Sequence, residues 1–208
     1  MEVILIACSG SKTEGGSPNY NGSSLSSLLP VGSVRYLMAA RLELAGMVDE
    51  IPGPDFGGVS PGRKAFLPAL ERYSGKVYER SQVRNIYPKT KELNILIISA
   101  LYGLLDAYEP IRLYNHEMKD TTKHGTRLYT WWKAKRLGKL VEEAVFALEP
   151  NRVHCLLPQN YLKALMPLSA ETFNRRGIEC KTYEHPGQGI GILNKWGEDL
   201  EGILLEHL

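Results

Sequence analysis

The sequence predicts an α/β fold: a mainly parallel, mixed central sheet flanked by helices, in one domain covering residues 1–208. Two aliphatic runs carry that expectation. Residues 3–7 (VILIA) and 93–99 (LNILIIS) are almost continuously apolar, the pattern of strands buried on both faces. The third observation is alternation: stretches of helical spacing separate these runs from two further strand-like segments.

Along the chain, residues 3–7 form the first strand. Residues 13–33 are rich in Gly, Ser, Asn and Pro and read as a long loop, the start of a loop-rich segment extending over 13–68. Within it, Ser33 is placed to cap a helix reaching about residue 47. Val34, Leu37, Met38, Arg41, Leu42 and Ala45 fall on one mostly apolar face of that helix. Residues 52–61 form another loop, and 62–72 a shorter helix. Residues 93–99 make the second strand. A long helix follows over about 126–148, where Leu128, Trp132, Leu140, Val141, Ala144, Val145 and Leu148 recur at helical spacing and Pro150 closes the element. Residues 152–157 form the third strand, 160–176 a helical stretch broken near Pro167, 178–183 a fourth and less apolar strand, and 197–207 a terminal helix.

Composition narrows the function classes. The chain has 25 Lys and Arg against 23 Asp and Glu, a net charge of +2, which excludes a polycation that wraps DNA by bulk charge. Hydrophobic residues at 43% are enough for a substantial core. Cys8, Cys155 and Cys180 are too few and too far apart for a disulfide framework, and no CxxC pair points to zinc, so no metal or other cofactor is expected. The opening MEVILIACSGSK lacks both the basic start of a signal peptide and the length of a membrane span. The expectation is a soluble cytoplasmic protein with free thiols and no membrane partner; oligomeric state stays open.

In mainly parallel sheets, ligands bind beyond the carboxyl ends of the strands. Four segments fall there: residues 8–12, 99–103, 158–160 and 185–189, all rich in small and polar residues. Cys8 follows a buried strand and precedes Ser-Gly-Ser-Lys. Gly10 permits a turn that exposes backbone N–H groups, and Lys12 adds a positive charge favouring a thiolate. Two readings stay open: a nucleophilic thiol beside an anion-binding turn, or a buried cysteine ahead of a solvated loop. The spacing is neither a Walker A loop nor GxGxxG.

Ser99, Tyr102 and Gly103 offer a hydroxyl, an aromatic face and close backbone approach, or else only a strand-to-loop transition. Glu109, Tyr114, His116, Glu117 and Asp120 gather titratable groups, among which Glu117 is a candidate general acid or base or a solvated loop carboxylate. Of Trp131 and Trp132, one is expected in the core and one at the surface. Lys133, Lys135, Arg136 and Lys139 form a basic helical face, either a phosphate contact or a solvated surface. His154, inside a strand, reads as a core or edge histidine with its hydrogen bonds satisfied.

The string ILIISALYGLLDAYEPIRLYNHEM at residues 95–118 resembles the signature of the YaaA family of bacterial peroxide-stress proteins: a strand ending in Ser-x-x-Tyr-Gly, then a Tyr and a Glu-Met pair. Residues 73–78 (YSGKVY) are similar to the family's Gly-Asp-Val-Tyr segment, 128–132 (LYTWW) to its Leu-Tyr-x-Phe-Trp helix, and 9–13 (SGSKT) to its Ser-Pro-Ala-Lys-Thr opening. The spacing of Cys8 and Lys12 resembles more closely a group of short relatives beginning Cys-Gly-x-x-Lys. The resemblance implies an α/β core and site roles for Ser9, Lys12, Tyr78, Ser99, Tyr102, Gly103, Tyr114 and Glu117, with Cys8 added from the shorter relatives. It also implies two associations: DNA binding under peroxide stress, and conversion of a nitrile-bearing deazaguanine to its amide. Two departures bear on the first. The chain is too short ahead of residue 73 for the family's helix-hairpin-helix-like insertion. Gly187-Gln188-Gly189 also stands where the family has Ala-Arg-Gly, leaving Gln188 as a substrate-binding candidate.

The enzyme expectation is therefore that Cys8 adds to an electrophilic carbon of a nucleobase-like small molecule. Lys12 and turn amides stabilise charge, Glu117 or Tyr114 moves the proton, and Tyr78 or Tyr102 stacks on the ring. The alternative is a non-catalytic protein that contacts DNA through the face at residues 133–139.

Overall fold

Strand β1 (Glu2–Ala7) lies at the centre of the sheet because it is apolar on both faces, with Val3, Ile4, Leu5 and Ile6 all buried. The computed structural model describes residues 1–58, 65–185 and 189–208. After β1 come a long loop, a short 3-10 turn at Ser24–Ser27 and helix α1 (Val31–Met47). Helix α1 starts after Pro30 rather than at Ser33, whose hydroxyl instead donates to Glu143 at 2.5 Å. Proline can precede the first turn because the amides there need no intrahelical acceptor.

The helix expected over 62–72 is replaced, in its described part, by strand β2 (Leu67–Pro68) and a single turn, α2 (Ala69–Arg72); residues 62–64 lie outside the described residues. Pro68 has no N–H to continue a helix through this point. Then follow α3 (Lys76–Arg80), α4 (Val83–Ile86), β3 (Leu93–Ser99), β4 (Gly103–Asp106) and β5 (Pro110–Ile111). The long helix expected at 126–148 is two helices, α5 (Leu128–Ala134) and α6 (Leu137–Ala147), separated at Arg136, which takes a left-handed φ of 52°. The remaining elements are β6 (Arg152–Leu156), α7 (Gln159–Leu165), α8 (Ala170–Asn174), β7 (Glu179–Thr182) and α9 (Ile190–Glu206). The last helix begins seven residues before the expected start.

Among the described residues, five strands form the main sheet in the order β4-β3-β1-β6-β7, and β2 pairs with β5 in a separate ribbon. Strand β1 runs parallel to both β3 and β6, β6 runs parallel to β7, and only β4 is antiparallel to its neighbour. Register fixes the site: Ile6 pairs with Ile97 on one side and Leu156 on the other, so the carboxyl ends of the three central strands are level. The four expected strands are present, and the sheet is the α/β arrangement the aliphatic runs imply.

Charged residues brace the core beside β4. The buried Arg41 guanidinium donates to the carbonyls of Tyr102 and Leu104 and to Glu109 at 2.7 Å. Arg112 and Asp55, also buried, form a two-point ion pair. No helix among the described residues is long and apolar enough to cross a membrane.

Candidate active site

Beyond the tip of β1, residues 8–12 cross the sheet end. The Cys8 amide donates to Ile98 at 2.9 Å, continuing the β1–β3 ladder by one step. Further on, the Thr13 amide donates to Arg72 (2.7 Å) and Ser74 to Ser11 (3.0 Å), tying the loop to the strap between α2 and α3. Between these anchors, the amides of Ser9, Gly10 and Ser11 donate to no acceptor among the described residues. Gly75 lets the strap approach closely, since a Cβ there would lie 2.1 Å from the Ser9 hydroxyl oxygen.

This loop forms one wall of a cavity of about 410 Å³. Cys8, Ser9, Tyr78 and Glu117 line it together with Tyr161 and Trp196. The Cys8 Sγ lies 3.1 Å from the Tyr161 hydroxyl. Burial, and then the neighbouring Cys8, push the Tyr161 phenol well above its ordinary pKa, so it stays protonated and holds a proton it can donate to the Cys8 sulfur. Tyr78 donates to the Ala7 carbonyl at 2.8 Å, holding its ring against the end of β1. Glu117 is half exposed and pairs with Lys119 at 2.8 Å. Its Oε1 lies 3.2 Å from where a Cβ on Gly10 would stand, so glycine there makes room for the carboxylate. Burial pushes the Cys155 thiol up to about 12 and the Cys180 thiol up to about 11, which disfavours the nucleophilic thiolate at both. All three cysteines are unbridged.

Lys12 stands behind the loop and is not part of the cavity wall. Its ammonium donates to the Gly10 carbonyl at 3.3 Å and sits 4.1 Å from the centre of the Tyr114 ring. Burial lowers its pKa, with the charges of Cys8 and Glu117 acting in the opposite direction.

The remaining sequence candidates lie deeper than expected. Ser99 and Tyr114 are buried beneath the wall, where the Tyr114 hydroxyl lies 3.0 Å from Ser99 and 2.8 Å from Tyr73. Burial followed by the Cys8 charge pushes the Tyr114 phenol far up, so it is a support for Lys12 rather than a proton carrier open to the cavity. Tyr102 does not reach the cavity to stack on a ring. It is fully buried, and its hydroxyl donates to Asp55 at 2.7 Å. Gly103 is also away from the cavity: its φ of 71° makes the β3–β4 turn, and a Cβ there would lie 2.6 Å from the Trp132 ring. The physical reason is common to both residues. The chain after β3 folds inward to pair as β4 instead of opening at the strand end. Gln188 lies outside the described residues.

Trp131 is not a surface ring; it is buried like Trp132, with Lys135 over its face. In the basic face, Lys135 pairs with Glu43 and Lys139 with Glu142 at 3.7 Å. His154 is buried between Glu2 and the Tyr183 hydroxyl, which lies 2.8 Å from its Nδ1. Sequence reasoning missed Tyr161 and Trp196. Tyr161 follows the third strand end by five residues, a signal the sequence offers; Trp196 lies in α9 ahead of the expected helix start at residue 197.

A mainly parallel sheet whose central strand delivers a thiol to an aromatic-walled cavity defines an α/β protein with a candidate site at the carboxyl end of its sheet. The chain belongs to the family described as peroxide stress protein YaaA, whose model matches residues 47–207. Residues 1–46, including Cys8 and Lys12, lie outside that match. Among curated relatives, the chain is 27% identical over 135 residues to a UPF0246 protein of Polynucleobacter necessarius, covering 60% of this chain and 52% of that protein. It is 25% identical over 137 residues to one of Variovorax paradoxus (64% and 51%), and 24% identical over 158 residues to one of Caulobacter vibrioides (74% and 60%). The chain thus spans only about half to three fifths of the length of these relatives.

Proposed function

We propose that the protein is a cysteine-dependent enzyme that hydrates the nitrile of a 7-cyano-7-deazaguanine-type base or a close purine analogue. The observation that carries this reading is the Cys8 thiol, 3.1 Å from the Tyr161 hydroxyl, in a cavity bounded by Tyr78, Trp196 and the uncommitted amides of residues 9–11. In the first step the sulfur bonds to the nitrile carbon and the nitrile nitrogen gains the thiol proton, giving a thioimidate. The Ser9, Gly10 and Ser11 amides are suited to negative charge developing on that nitrogen, and Lys12 behind them adds a favourable field. In the second step water adds to the same carbon, its hydroxyl forming the C–O bond and its proton going to nitrogen. The C–S bond then breaks, the sulfur takes the hydroxyl proton, and the product is the amide. Glu117, at the cavity rim, is the base for that water. A reducing compartment such as the cytoplasm keeps the thiol available for this work.

The test is turnover with intact-mass detection. Wild-type protein is expected to convert the nitrile to an amide heavier by one water, and Cys8→Ala to abolish conversion. Unchanged turnover in Cys8→Ala overturns the covalent step. The DNA-contact reading is second, since two lysines of the face it needs are already ion-paired. Binding to duplex DNA that falls steeply between two salt concentrations would restore it.

A further inference from the structure

A second cavity, of about 290 Å³, adjoins the first, and the two share Pro158 and Trp196. The Trp196 side chain lines both, and its indole N–H donates to the Tyr183 carbonyl at 3.1 Å. On the far side the cavity is faced by Gln159, Thr182, Glu184 and His185. His185 is held through Nε2 by Asp199, while its Nδ1 has no partner among the described residues. No lysine or arginine among the described residues lines this space. An amide, a hydroxyl, an imidazole and a carboxylate together match the donors and acceptors of neutral hydroxyl groups, and the carboxylate opposes a phosphate. The first cavity alone is also in the size range of ligands larger than a bare ring.

We propose that the substrate is an unphosphorylated nucleoside whose sugar passes Trp196 and rests in this second cavity, its hydroxyls bonded by Gln159 and His185. The inference rests on the nitrile-hydratase reading for the ring but uses a different set of residues.

The experiment is calorimetric titration of the whole protein with three probes: 7-cyano-7-deazaguanine, its ribonucleoside, and that nucleoside's 5′-monophosphate. The ribonucleoside is expected to bind about tenfold more tightly than the base, the worth of roughly one net hydrogen bond, and the monophosphate more weakly than the nucleoside. His185→Ala is expected to narrow the ratio between nucleoside and base. Gln159 is exposed, so Gln159→Ala tests the same point without unpairing Asp199. Equal affinity for base and nucleoside, tighter binding of the monophosphate, or an unaltered ratio in both variants overturns the second cavity's role while leaving the chemistry at Cys8 standing. Failure of all three probes to bind overturns both.

Discussion

Single residues in the site separate into those that face the cavity and those that hold its wall. Tyr161 faces it, its hydroxyl 3.1 Å from the Cys8 sulfur, where the proposed chemistry makes it a positioning residue for that sulfur. Tyr161→Phe is therefore expected to lower kcat by about tenfold to a hundredfold with a smaller change in KM, measured by steady-state turnover. Gly103 holds the wall. A side chain there meets both a left-handed backbone and the Trp132 ring, so Gly103→Ala is expected to cost about 2–4 kcal/mol in urea unfolding. Cys8 and Gly103 both carry signals in the sequence, but of different kinds. Cys8 was legible because a buried strand, a glycine turn and a lysine follow one another within ten positions. Tyr102 and Gly103 lie in an equally suggestive segment, yet that segment turns inward, and nothing local distinguishes a turn that opens onto solvent from one that pairs back as a strand.

At the level of elements, strands were read more securely than helices. The runs at 3–7 and 93–99 can be stable only when covered on both faces, which leaves them one architecture. Helix limits depend on neighbours. Residues 126–148 keep helical spacing throughout, but the helix is interrupted between α5 and α6 at Arg136, whose left-handed φ of 52° no proline imposes. Strand β4 pairs back on the adjacent β3 through the turn at residues 99–103, and Arg41 of α1 adds a brace distant in sequence, binding the Tyr102 and Leu104 carbonyls around it. Breaking that brace leaves Glu109 buried without its cation. Arg41→Met is expected to cost about 3–5 kcal/mol, read as a lowered midpoint in urea unfolding.

Over the whole molecule, one ionic cluster links the first strand to the last helix. Glu2 contacts His154 of β6 and His207 just after α9, and Arg152 joins them at 3.1 Å. Burial lowers the His154 pKa from its ordinary 6.5, outweighing the opposing effect of Glu2. Burial raises the Glu2 carboxyl, but hydrogen bonds from the two histidines and the adjacent charges more than offset this and leave it below 4.5. Both groups thus bind protons more readily in the unfolded chain. Their contribution is complete above about pH 6.5, shrinks as pH falls through the histidine range, and falls again below 4.5 as Glu2 protonates. Thermal melts across this span are expected to show a declining Tm toward acid, with the drop above pH 5 reduced in His154→Gln. A flat profile would contradict the arrangement.

The position of β1 between β3 and β6 has a consequence for how the protein is made. Its neighbours follow it by roughly ninety and one hundred and fifty residues, so a nascent chain must wait for most of its length to leave the ribosome before the middle strand can dock on both sides. Until then the Cys8 sulfur has no Tyr161 beside it, and the youngest form of the protein carries its thiol bare.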